Sequence, residues 1–250
     1  MNKNKYFIIK ADDLKYNHLS KNWVEFLNIL NKYKIPAALG LIGKSLEINK
    51  GKEYNSRFKE LISNHELFCH GYLHCLNEYV DLNLEDQRNS ILKSIKIIKK
   101  ILNYSSCTFG APGNNISKNT KKALECTSIN IWLFGMEWKG VNLNQRNFEF
   151  EYSNLNKVPF KNRWLRIFKN RVSFLLNKRV SGNCDSSELI QRYKNVFNAQ
   201  LIMGQVHPAL WNSIDLKELE KFLCFLINEG ERQFITPKQL IEKQILKCRL

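Results

Sequence analysis

Tyr6–Asp13, YFIIKADD, is a short apolar run that ends in two adjacent acids. A run of this length followed by a polar turn reads as a buried strand. Similar runs recur at Ala37–Leu41, Glu66–Cys69, Cys107–Phe109, Ile129–Phe134, Leu201–Val206 and Gln233–Ile235. Helical patterns lie between them, over Trp23–Tyr33, Leu84–Leu102, Lys118–Cys126 and Leu216–Asn228. Alternating βα units make a parallel sheet or barrel. Seven strands predict an α/β fold, a distorted (β/α) barrel with about seven parallel strands, rather than an open doubly wound sheet. Asn83 is the expected cap of the second helix, whose first turn holds Glu85 and Asp86 and whose end holds lysines, in accord with the helix dipole. Asp215 is the expected cap of the last helix and Gly230 its stop.

The chain has 250 residues, enough for one full core, and neither a linker composition nor an internal repeat divides it. A single catalytic domain over residues 1–250 is expected. Its first residues, MNKNKYFIIKADD, lack a signal-peptide core, and no run approaches the roughly 18 apolar residues of a spanning helix. The expected location is the cytoplasm. Seven cysteines without a CxxC pair fit a reducing compartment, and Cys69 and Cys75 read as packing rather than ligands. A formal charge of +16 favours an anionic partner, although abundant Lys, Asn and Ile also accompany an A/T-rich coding sequence. Neither GxGxxG nor GxxxxGK[ST] follows a strand, so dinucleotide and P-loop sites have no support.

Barrels place their chemistry at the carboxyl ends of strands. Asp12 and Asp13 follow the first run, His70 and His74 the third, and His207 the run Leu201–Val206. A hydrolytic metal site needs three protein ligands and an open position, which Asp13, His70 and His74 supply. The i, i+4 spacing of the two histidines puts both imidazoles on one face if the chain turns helical after Gly71. Each residue alone has a plainer reading: Asp12-Asp13 as a solvated turn or cap, His207 as a half-buried histidine.

ADDL, HELFCHGYLH, FGAPGN and MGQVHPALW stand in the order, and at about the spacing, of the motifs of the polysaccharide deacetylase family, also called the NodB-homology or carbohydrate esterase family four. The resemblance runs from about Phe7 to Trp211 and is closest to a divergent WbmS-like branch associated with lipopolysaccharide O-antigen clusters. It implies a NodB-like distorted barrel and a divalent ion, Zn2+ by expectation, held by Asp13, His70 and His74. It further implies Asp12 as general base, His207 as general acid, and backbone N–H groups near Pro112 and Gly113 facing the oxyanion. Trp211, in the last motif, is expected at the substrate site, and His18, five residues beyond Asp13, at the cleft. The sequence also departs from the family pattern. No arginine occupies the place in Phe109–Gly113 where the family carries one to orient the base, which leaves the tuning of Asp12 open. Glu137-Trp138 only echoes the Asp-Trp element that sets the acid histidine, and Gly71 stands where Ser or Thr is usual.

The function this implies is removal of an acetyl group from an N-acetylated sugar of a glycan or lipopolysaccharide O-antigen precursor, lipid-linked or nucleotide-linked. The alternative is a non-catalytic glycan- or membrane-binding relative. An Fe(II) oxygenase uses a similar ligand set, but on a β-sandwich-like barrel. Nucleic-acid binding rests on charge alone and lacks a reader motif. Lys157–Arg179 forms a basic, aromatic-rich amphipathic pattern, which reads either as a barrel helix or as a peripheral contact with an anionic inner membrane face.

Overall fold

The computed structural model describes residues 5–48, 50–144, 148–150 and 184–247. The basic stretch Lys157–Arg179 lies outside these residues. The strands are β1 (Lys5–Leu14), β2 (Ala38–Leu41), β3 (Glu66–Cys69), β4 (Thr108–Phe109), β5 (Ile131–Leu133), β6 (Val141–Leu143), β7 (Phe148–Glu149), β8 (Leu201–Val206) and β9 (Arg232–Phe234). The helices are α1 (Lys21–Lys32), α2 (Gly51–Ile62), α3 (Leu84–Leu102), α4 (Lys118–Glu125), α5 (Ser186–Asn195), α6 (Ser213–Glu229) and α7 (Pro237–Lys247). All the strands pair in parallel, in the order β6-β5-β4-β3-β2-β1-β8-β7, with β9 beside the start of β1. This is the distorted (β/α) barrel. The seven expected strands are all present, and β6 and β7 are short additions at the two ends of the order.

Alternation along the strands separates two cores. Phe7, Ile9 and Ala11 of β1 pack outward with Trp23, Phe26 and Leu27 of α1. Tyr6 and Ile8 point the other way and join Ala38, Phe68, Ile131, Leu133 and Met203 inside the barrel. Continued by twos, that inward face carries Lys10 and Asp12 on β1, His70 past Phe68, and Gln205 and His207 past Met203. The reactive groups therefore form the layer above the last apolar layer. The face is tight at Gly40, where a Cβ would stand 2.6 Å from the Phe68 ring.

Local chemistry sets most helix ends as expected. Asn83 accepts the Asp86 N–H at 3.0 Å, and Gly230 ends α6 with φ 68°. The cap of α6 differs from expectation. It is Asn212, whose side chain accepts the Ile214 and Asp215 N–H groups, while Asp215 reaches back to the Asn212 N–H at 2.9 Å. Asp215 is thus the third residue of a capping box, and the helix begins one turn earlier.

At the amino-terminal end of the barrel, His65 takes the Ala37 N–H on Nδ1 at 3.2 Å. Burial pushes its pKa from 6.5 down to about 4. Below pH 6.5 the unfolded chain takes up a proton that the folded chain refuses until about pH 4, so stability falls over that window as pH drops. The loss should be on the order of 3 kcal/mol. Urea unfolding of the parent and of His65→Gln at pH 7 and pH 4 should show a smaller pH dependence in the variant.

Candidate metal and acid–base site

Neighbouring residues on a regular strand face opposite ways, so Asp12 and Asp13 could not both serve one rim without a distortion. Ala11 pairs with Leu39 and Leu14 with Leu41, so β1 carries one extra residue there, and Asp13 has φ 70°. This bulge brings Asp13 to the rim while Asp12 keeps its inward position. Aspartate tolerates the left-handed region better than most residues.

Asp13 Oδ1 lies 2.5 Å from His74 Nε2 and 3.2 Å from His70 Nε2. One ligand atom from each of the three residues lies within 4.8 Å of the others. The buried His70 ring sets its Nδ1 2.7 Å from the Gly110 carbonyl, which as the acceptor fixes the proton on Nδ1 and leaves Nε2 for the cluster. Burial works to raise the Asp13 pKa, but the hydrogen bonds and charges of His70 and His74 outweigh it and hold the carboxyl well below its usual range. A carboxylate with two inward imidazole nitrogens fits a divalent ion.

The two histidines do not meet through a helical turn. Residues 70–75 form an irregular loop in which Gly71 has φ 74° and His74 φ 62°. The loop is held by the buried Glu78, whose Oε1 accepts the Tyr72 N–H at 2.8 Å and the Leu73 N–H at 3.2 Å, and whose Oε2 accepts the His74 N–H at 2.8 Å. Ser90 also donates to Glu78 Oε1. A Cβ at Gly71 would stand 2.6 Å from Glu78 Oε2, so this position needs glycine for space as well as for φ, and a Ser or Thr would displace the anchor.

Beside the cluster is a second group. Asp12, 1% exposed, has its Oδ2 3.9 Å from His207 Nε2. Gln205 Nε2 donates to Asp12 Oδ2 at 2.6 Å and stands 3.4 Å from His207 Nε2. Lys10, fully buried, places Nζ 2.6 and 2.5 Å from the two Asp12 oxygens. Lys10 and Gln205 were not anticipated from the sequence. The signal was present, since each lies two residues before a candidate on the same strand face.

The remaining candidates are distributed around this site. Pro112 and Gly113 form the 3-10 turn after β4, with Gly113 at φ 61°. His18 is exposed in the loop after β1. Trp211 is fully buried and packs edge-on to Phe26 with ring centroids 6.3 Å apart. Trp138 packs on Trp132 with centroids 5.7 Å apart and directs its indole N–H to the Val141 carbonyl, while the groups beside His207 are Gln205 and Asp12.

A sequence model of the polysaccharide deacetylase family matches residues 2–132. Among solved structures, the Xyl-CE4 domain of a multidomain xylanase from the hindgut metagenome of Trinervitermes trinervoides is 16% identical, with 96% of this chain and 92% of that chain covered and a TM-score of 0.60. A CE4 family pseudoenzyme from Bacillus anthracis is 15% identical, with 93% and 64% covered and a TM-score of 0.59. A family 4 acetyl xylan esterase from Clostridium thermocellum, in complex with a cobalt ion, is 14% identical, with 95% and 91% covered and a TM-score of 0.58. At these identities the likeness is one of fold. No curated protein sequence matches significantly.

If Glu78 anchors the ligand loop, Glu78→Gln should weaken metal retention by roughly 10-fold or more, because a neutral amide cannot accept from Tyr72, Leu73 and His74 alike. Zn2+ content after dialysis against graded chelator should fall in the variant while far-UV circular dichroism is unchanged.

Proposed function

The chain belongs to the polysaccharide deacetylase family, and from that premise we propose that it is a metal-dependent hydrolase that removes an acetyl group from an N-acetylated sugar. The observation that carries the reading is the joining of two groups on one rim: the Asp13, His70 and His74 cluster and the Asp12–His207 pair 3.9 Å apart. A divalent ion at the cluster supplies Lewis acidity to the acyl carbonyl and the attacking water. The cobalt ion of the esterase from Clostridium thermocellum agrees with such a site, and Zn2+ is our assignment for this chain.

Asp12 takes a proton from the attacking water as its oxygen bonds to the acyl carbon. His207 gives a proton to the nitrogen as the C–N bond breaks, so acetate and a free sugar amine leave. The Gly113 N–H, in the turn after β4, faces the developing oxyanion. His18 lines the cleft. The preferred substrate is a precursor of a glycan or lipopolysaccharide O-antigen, lipid-linked or nucleotide-linked, deacetylated in the cytoplasm or at the inner face of the membrane. Two facts are compatible with that location: no helix among the described residues is long and apolar enough to cross a membrane, and the net charge of +16 favours an anionic surface.

A second reading, a non-catalytic glycan- or membrane-binding relative, draws on the likeness to a pseudoenzyme and on the lack of an arginine in Phe109–Gly113.

The two readings separate on acetate release from an N-acetylated oligosaccharide by the Zn2+-loaded protein. Turnover is expected, and its absence across N- and O-acetylated sugars would favour the non-catalytic reading. Asp12→Asn should retain metal and lose roughly 10²-fold or more in kcat. His74→Ala should lose both metal and turnover.

A further inference from the structure

Lys10 belongs to neither part of the chemistry just proposed, yet it is buried on the inward face of β1 against Asp12. It has no exposed surface, and its ammonium stands 5.3 Å from the centroid of the Phe68 ring and 5.2 Å from that of Phe134. Both Asp12 oxygens are within 2.6 Å of it. An ammonium surrounded by ring faces and one carboxylate is a compact positive charge with an assigned counter-ion.

The second holder of Asp12 is equally constrained. Gln205 Oε1 accepts the Asn114 amide N–H at 3.1 Å, which orients the glutamine so that its Nε2 meets Asp12 Oδ2. A hydrogen-bonded line from the turn after β4, through β8, therefore reaches Asp12 from one side while Lys10 reaches it from within its own strand. Both contacts hold the carboxylate with its Oδ2 3.9 Å from His207 Nε2.

We propose that Lys10 is a positioning residue for Asp12, a buried cation on β1 that orients the base in a place where the chain offers no arginine. The space around Gly110 fits this arrangement. A Cβ there would stand 2.9 Å from the Phe68 ring and 3.3 Å from Lys10 Cε, so the ring and the lysine stem together fill the room that a side chain just after β4 would need. A buried ion pair is a weak source of stability, because apolar residues of similar volume often serve a core as well or better. The position of this pair, at the layer bearing His70 and His207, links its charge to the reaction.

The inference rests on the deacetylase reading, and a double-mutant cycle on the full-length Zn2+-loaded protein keeps the two apart. Lys10→Met preserves bulk without charge. It should lower kcat roughly 10²-fold with KM and Zn2+ content within twofold of the parent. In Lys10→Met/Asp12→Asn the lysine has no base left to orient, so the double variant should be no slower than Asp12→Asn alone. If Lys10→Met does not fold, the double variant, with both charges removed, still carries the comparison. A parent rate in Lys10→Met overturns the proposal, as does a double variant slower than Asp12→Asn by a further ~10²-fold. A parent that turns over no acetylated sugar overturns the deacetylase reading itself and this inference with it.

Discussion

An ionised carboxylate cannot enter a protein core without a partner, since moving an ion of that size out of water costs several kcal/mol even after relaxation. β1 brings Lys10 and Asp12 into the barrel together, 0% and 1% exposed, and the rest of the site follows from how they are accommodated. Their mutual contact fixes the Asp12 carboxylate, and Gln205 fixes it from β8. The bulge between Ala11 and Leu14 then brings the next acid, Asp13, to the same rim, where it meets His70 and His74 rather than Lys10. Two carboxylates facing one cavity side by side would repel; one paired with lysine and one grouped with histidines do not.

Much of this was legible in the sequence because the signals were local. Apolar runs of strand length found seven of the nine strands among the described residues, and Glu66–Cys69, Leu84–Leu102 and Leu201–Val206 have the observed boundaries. α2, α5 and α7 were missed; α2 begins without a side-chain cap, and lysines and acids occupy most of its solvent face, so its apolar signal reduces to residues such as Phe58 and Ile62. β6 and β7 are two or three residues long and exist through pairing, which sequence periodicity does not report. Asp215 was mistaken for a cap because its role is reciprocal and three residues removed.

At the site, residue identities were easier to read than geometry. The rim rule located Asp12, Asp13, His70, His74 and His207. The spacing of the two histidines suggested a helix, but spacing alone cannot distinguish a helical turn from a loop pinned through its N–H groups by a distant carboxylate. Glu78 supplies that carboxylate, and nothing in HGYLH announces it. Lys10 was passed over because a lysine at the end of an apolar run ordinarily marks a solvated strand end, and only strict alternation from Tyr6 and Ile8 shows it to face inward. Trp211 also lies in a motif, and its buried ring packs on Phe26 of α1, which motif position does not report.

β1 has parallel neighbours along nearly its whole length, β9 then β2 on one side and β8 on the other. Its amides should rank among the slowest to exchange with deuterium, whereas the segment from Gly71 to Glu78 lies outside the sheet, held by Glu78, by the Gly43 and Lys44 N–H groups on the Gly71 and Tyr72 carbonyls and by Asn115 on the Leu76 carbonyl, and should exchange sooner. Asp12 and Asp13 on β1 should thus outlast the His74 loop in local stability. On warming or mild denaturation the chain should pass through a state in which the Asp12 half is intact and the His74 half is not, a state that closes again without refolding the barrel.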